Sequence, residues 1–148
     1  MSTSTEPGAT PGPFAEGHRR TGAVRAFSVL NGLTLLGVLL QAVWAGEFID
    51  RAGQGTWISV HEISAFVLVV LALASALAAI TLRRVHPALT LGSCGLLVLI
   101  IIQTGLGEAI TKAGANELVA AHVPIAVLAF GLGVYLSSMG ARLRRATA

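Results

Sequence analysis

The sequence predicts an all-α fold, a polytopic membrane four-helix bundle built from two parallel two-helix repeats. Three observations lead there. The chain is 54 % hydrophobic and only 11 % charged, where a soluble domain carries about 25 % charged residues. Four long apolar segments are separated by short polar breaks. The stretch GEFIDRAG, residues 46–53, returns as GEAITKAG, residues 107–114, at an offset of 61 residues.

The elements follow in order. Residues 1–22 are rich in Ser, Thr, Pro and Gly without apolar periodicity, which predicts a disordered tail. They do not read as the start of a cleaved signal peptide, because the apolar run begins late and exceeds the roughly 7–15 residues of a signal core. The helical domain is expected over residues 23–141. Its apolar segments cover about 26–46, 58–82, 87–107 and 118–139. At about 1.5 Å per residue, each is long enough for a hydrocarbon core of about 30 Å. A helix is the only open structure that satisfies its own backbone in lipid. DRAGQGT, 50–56, and TKAGAN, 111–116, read as Gly-rich loops. RRVHP, 83–87, sets Pro87 at the start of the third helix, where its missing N–H costs little. Residues 142–148 form a basic tail.

Basic residues set the orientation. Arg19, Arg20, Arg25, Arg83, Arg84, Arg142, Arg144 and Arg145 lie on one side of the four spans, and only Arg51 and Lys112 on the other. The excess marks the cytoplasmic side. Both termini are thus expected in the cytoplasm of a multi-pass cell-membrane protein, with the repeated loops facing outward. These charges flank apolar segments, so the net charge of +3 does not point to nucleic acid. The single cysteine, Cys94, lies in an apolar run and reads as a small packing residue. No nucleophile–base pair and no phosphate loop is present.

The repeat extends well past the loop. Gly46, Glu47, Ile49, Ala52, Gly53, His61 and Ala65 match Gly107, Glu108, Ile110, Ala113, Gly114, His122 and Ala126 at the one offset, and Arg51 meets Lys112. A unit of two spans preserves orientation. The halves are therefore parallel repeats about a pseudo-twofold axis along the membrane normal, which sets equivalent residues around one central site.

His61 and His122 are the residues most able to carry chemistry. Each falls about one turn inside the outer end of its span, and ionisable groups there usually face the bundle interior. Small residues share their faces: Ala65, Ala72, Ala76 and Ala79 after His61, and Ala126, Ala129, Gly133, Ser137 and Gly140 after His122. Such faces serve close helix contact or a flat cofactor, and close contact is the commoner use. Two neutral imidazoles from opposing helices can ligate a haem iron axially, which makes His61 and His122 candidate metal ligands of a b-type haem. Arg51 and Lys112 are candidate propionate partners or ordinary interfacial anchors. Glu47 and Glu108, each 14 residues before a histidine, are candidate acceptors for the second imidazole nitrogen or solvated helix-end carboxylates. Gln41 and Gln103, offset by 62 residues, are candidate lining amides. Glu62 has no counterpart and reads as a loop-facing charge. Trp44, Trp57 and Tyr135 read as interface anchors or packing residues, and His18 and His86 as solvated.

IIIQTGLGEAI, 100–110, followed by LVAAHVPIAVLAF, 118–130, resembles the third and fourth helices of one half of the haem A synthase family, with its Q-x3-G run and later H-x3-A. LLQAVWAGEFI, 39–49, and ISVHEISAF, 58–66, resemble that half's first two helices more weakly. The resemblance covers about residues 26–140 and implies haem ligands at His61 and His122. The chain matches one of that family's two halves, and Ile58 stands where the family has a carboxylate three residues before a histidine. The resemblance therefore implies a haem-binding fold rather than haem A synthesis. The chain also looks like short four-helix actinobacterial membrane proteins with a Q…AG…H pattern, for which the resemblance brings a fold and no activity.

Three functions fit these residues, and the sequence does not say whether any of them is enzymatic. The first is haem-b binding near the outer face, for electron transfer with a redox partner or for haem handling. The second is a non-haem metal site of His61, His122, Glu47 and Glu108. The third is a structural or assembly subunit of a membrane complex. A homodimer that rebuilds eight helices is compatible with each.

Overall fold

The computed structural model describes residues 13–49 and 55–147. They form four helices: α1 (Pro13–Ile49), α2 (Gly55–Ile80), α3 (Pro87–Ala113) and α4 (Val119–Thr147), with a single 3-10 turn at Asn116–Leu118 before α4. No strand occurs among the described residues. All four helices are long and apolar enough to cross a membrane. Large side chains such as Ile63, Val70, Leu91 and Val127 point outward, each more than 60 % exposed. In water that surface would be unstable. In lipid it is the ordinary outer surface of a bundle. The protein is a multi-pass membrane protein.

Two boundaries differ from the sequence expectation. Residues 13–22, assigned to a disordered tail, are the first turns of α1. Pro13 starts the helix at the position where proline is tolerated, and the Ala and Arg residues that follow favour helix. With 37 residues, α1 is about 55 Å long and outreaches the membrane-crossing part, Arg20–Glu47. Likewise the basic tail from 142 is helical, since α4 continues to Thr147. Residues 1–12 lie outside the described residues.

The other helix ends have local causes. Pro87 opens α3. Gly114 ends it with φ 69°, a left-handed conformation that glycine adopts without steric cost. The chain then reverses, and Ala115 N–H donates to the Ala109 carbonyl at 3.2 Å. Within α4, Pro124 has no N–H to offer the carbonyl four residues back.

Neighbouring helices run antiparallel around a square. Contacts join α1 to α2, α2 to α3, α3 to α4 and α4 to α1, while the two diagonal pairs make no close backbone approach. Side-chain contacts fix the register. Gln41 meets Ser64 between α1 and α2, Thr90 meets Ala79 between α2 and α3, Gly92 meets Leu136 between α3 and α4, and Asn31 meets Ser137 between α1 and α4.

Inward residues recur at alternating steps of three and four, the spacing of coiled-coil seams. On α1 the seam is Val24, Phe27, Asn31, Thr34, Val38 and Gln41; on α2 it is His61, Ala65, Leu68, Ala72, Ser75, Ala79 and Leu82. On α3 it is Leu89, Ser93, Leu96, Ile100, Gln103 and Gly107; on α4 it is His122, Ala126, Ala129, Gly133, Leu136 and Gly140. Nearly all of the fully buried side chains belong to these seams. Stacked in register, they make layers. Phe27, Ala79, Leu89 and Gly140 close the inner end, and Val38, Leu68, Ile100 and Ala129 form an apolar layer further out.

Gly140 is where the inner layer is tightest. A methyl group there would sit 2.9 Å from Ser28 Oγ and 3.2 Å from Cε1 of Phe27. Neither neighbour yields readily, since Phe27 is 0 % exposed and Ser28 Oγ is tied to the Val24 carbonyl at 2.8 Å. Gly140→Val is expected to destabilise the bundle by about 1–3 kcal/mol, seen as a lowered unfolding midpoint in detergent. Gly32→Val is the control, because nothing lies within 4 Å of its added carbon.

Candidate functional site

The layers of the two histidines and the two glutamines hold none of the large apolar side chains that fill the layers below. His61 of α2 and His122 of α4 occupy one layer, on helices that face each other across a diagonal. The other diagonal of that layer carries Gly107 of α3 and Ala45 of α1. The next layer inward pairs Gln41 and Gln103 across one diagonal with Ala65 and Ala126 across the other. Beneath lies the apolar layer of Val38, Leu68, Ile100 and Ala129.

Burial along the seams is lower at this end. Ala72 and Ala129 are each 1 % exposed, whereas Ala65 and Ala126, one or two turns further out on the same seams, are only half-buried. Both histidines are half-buried, and the Nδ1 atom of each is buried. A square of helices about 8–10 Å apart has a diagonal of about 11–14 Å, so inward-pointing imidazoles approach across it without helix contact.

The two halves of the site are not equivalent. The ring of His122 lies beside Gly107, where a methyl group would be 3.6 Å from its Cε1. The position across the layer from Gly107 is Ala45 of α1, so the ring of His61 does not have a glycine beside it in the same way. Nδ1 of His122 makes no hydrogen bond to a described residue.

The amides differ in the same way. Gln41 Nε2 donates to Ser64 Oγ at 2.9 Å and to the His61 carbonyl at 3.2 Å. This ties α1 to the turn of α2 that carries the histidine. Ser64 is replaced in the repeat by Ile125, so Gln103 has no matching hydroxyl. The Oε1 atoms of both Gln41 and Gln103 are buried without a hydrogen bond. Buried amide oxygens normally find donors, so two such atoms beside two imidazoles mark this end as short of polar partners. The sequence reading did not identify Ser64. The spacing His61 to Ser64, one turn apart on an inward face, was the signal for it.

The carboxylates are arranged differently from the expectation. Glu108 does not accept from His122. It forms an ion pair with Lys112 at 2.6 Å, one turn along α3. Lys112 is thereby held at an exposed carboxylate rather than turned toward the bundle. Glu62, expected to face a loop, instead accepts a hydrogen bond from Thr111 of α3 at 2.8 Å. Glu47 is half-buried at the outer end of α1. Arg51 lies outside the described residues. Trp44 and Trp57 are half-buried, Tyr135 is exposed toward lipid, and His18 is exposed as expected. His86 is half-buried, and its carbonyl accepts the Leu89 N–H at 3.1 Å at the start of α3.

No three His, Cys, Asp or Glu side chains converge among the described residues. A non-haem centre built from both histidines and both carboxylates is therefore not assembled here. Comparison with family models, with curated proteins and with solved structures finds no match to this chain.

The unequal burial of Ala126 and Ala129 yields a direct test. Ala129→Leu is expected to overpack the bundle and destabilise it by about 1–3 kcal/mol. Ala126→Leu, one turn further out, is expected to leave the thermal midpoint unchanged or raise it. Equal destabilisation by both would mean that the outer end is as tightly filled as the layer below.

Proposed function

We propose that this protein binds one b-type haem between α2 and α4 near the outer face of the cell membrane, with His61 and His122 as the axial ligands, for electron transfer or haem handling. The observation that carries this reading is a pair of neighbouring layers in which two histidines stand on diagonally placed helices and every other seam side chain is Ala, Gly or Gln. A haem iron needs no protein ligand beyond two imidazoles, so the reading does not depend on a third ligand. The buried, unpartnered Nδ1 of His122 is consistent with a ring whose hydrogen-bonding capacity the protein alone leaves unused.

The residues of the chain divide the work. His61 and His122 would hold the iron. Gln41 fixes the backbone turn beneath His61 and, with Gln103, lines the inner side of the site. Val38, Leu68, Ile100 and Ala129 keep water and ions from passing further in. Glu47 is the carboxylate left to orient an imidazole, since Glu108 is held by Lys112. Lys112 and Arg51 are the cations available to propionates on the outer side, and Lys112 would have to exchange Glu108 for that role. The bound haem would supply a one-electron iron couple. The likeness of both hairpins to one haem A synthase half supports the same ligands. The eight-to-two distribution of basic residues supports cytoplasmic termini.

The decisive measurement is an optical spectrum of detergent-purified protein expressed with haem available, before and after dithionite. A sharp reduced α-band with a shifted Soret peak is expected. His61→Ala and His122→Ala should each abolish the low-spin absorption, while Glu47→Gln should only weaken it. A featureless spectrum from folded, haem-supplied protein would remove the haem reading and leave a packing role in a membrane complex. Orientation is tested separately, with Cys94 replaced by Ser. A cysteine at Ala115 should react with an impermeant thiol reagent on intact cells, and one at Ala146 should not.

A further inference from the structure

The inner half of the bundle contains a second polar layer, separated from the histidines by the apolar layer around Leu68 and Ile100. At this level α1 contributes Asn31, α2 Ser75 and α3 Ser93, which are 0 %, 2 % and 2 % exposed. Leu136 of α4, also 0 % exposed, completes it. Asn31 Nδ2 is satisfied, donating to the Gly133 carbonyl at 3.1 Å and to Ser137 Oγ at 2.8 Å. Its Oδ1 is buried with no hydrogen bond.

Ser75 is the unusual member. The other fully buried hydroxyls return to their own helix: Thr34 Oγ1 donates to the Leu30 carbonyl at 2.9 Å and Ser93 Oγ to the Leu89 carbonyl at 2.7 Å. That return bond is the usual resting place of a hydroxyl inside a helix. Ser75 Oγ does not make it, and no other group meets it. Two unsatisfied oxygens thus occupy neighbouring seams of one sealed layer, within a membrane where each unmet polar group is costly.

We propose that this layer is a binding site for one water molecule, which donates to Asn31 Oδ1 and exchanges a hydrogen bond with Ser75 Oγ. Water is the occupant that fits the chemistry. Asn31 Oδ1 requires a donor, the serine hydroxyl accepts or donates, and the surrounding side chains carry no charge that would hold an ion. Two polar partners are the minimum for a retained buried water, and Ser93 Oγ on the facing helix keeps a lone pair for a third bond. The site would join α1 to α2 at the depth where Asn31 already joins α1 to α4. It does not depend on haem binding at the outer end.

Two measurements test this. A structure of the membrane-embedded protein at a resolution that reveals ordered water should place one oxygen about 2.6–3.2 Å from both Asn31 Oδ1 and Ser75 Oγ. An empty layer, with Ser75 turned back to the Leu71 carbonyl, would overturn the proposal. Ser75→Ala gives an independent readout whose sign differs between the two cases. Removing one anchor of a bound water lowers the thermal midpoint by a few degrees, whereas removing an idle buried hydroxyl leaves it unchanged or raises it. Either of the latter results would overturn the proposal.

Discussion

Lipid offers no hydrogen bonds, and the arrangement of this protein follows from that constraint. The backbone satisfies itself by becoming helical. Polar side chains have no such internal solution, so they turn inward to the seams, where other helices supply donors and acceptors. Asn31, Thr34, Gln41, Ser75, Ser93 and Gln103 all lie on inward seams, while the outward faces carry Leu, Val and Ile. This reverses the polarity of a soluble bundle. The interior then becomes a set of layers whose chemistry depends on which residue each helix brings to a given depth.

Those layers are not alike. The inner end is closed by Phe27, Leu89 and Leu136 against glycines, and there close packing supplies the stability. The middle is apolar. The outer end brings histidine, glutamine and small residues together without a large side chain among them. Dispersion attraction requires contact, so an outer end of histidine, glutamine and small residues gains less of it than the layers below. The Gln41 link to α2 and the Thr111 link to Glu62 hold it instead, through hydrogen bonds at its edges.

The duplication explains the placement of the site and also its imbalance. Two copies of a hairpin around a pseudo-twofold axis deliver two histidines at one depth on diagonal helices. Their surroundings differ. Ile125 stands where the first hairpin has Ser64 and offers Gln103 no hydroxyl, and Pro124 stands where it has Ile63 and donates no helical hydrogen bond just after His122. His122 lies beside Gly107, whereas Ala45 holds the corresponding place in the layer of His61.

The four spans, their approximate limits and the repeat were legible in the sequence, because they depend on local quantities: apolar length, Gly and Pro punctuation, and a fixed offset. The pairing of Glu108 with Lys112 was legible in principle too, since residues four apart on a helix are neighbours. Other features belong to register between helices. That His61 and His122 share a layer with Ala45 and Gly107, that Ser64 receives Gln41, that Glu62 meets Thr111, and that Asn31 and Ser75 leave oxygens unmatched all depend on how far one helix slides against another. Helix propensity and hydropathy do not encode that slide. It is set by the interlocking of side chains at every layer at once, which is why the sequence alone determined the spans and the two histidines, and only the tertiary structure decided what surrounds them.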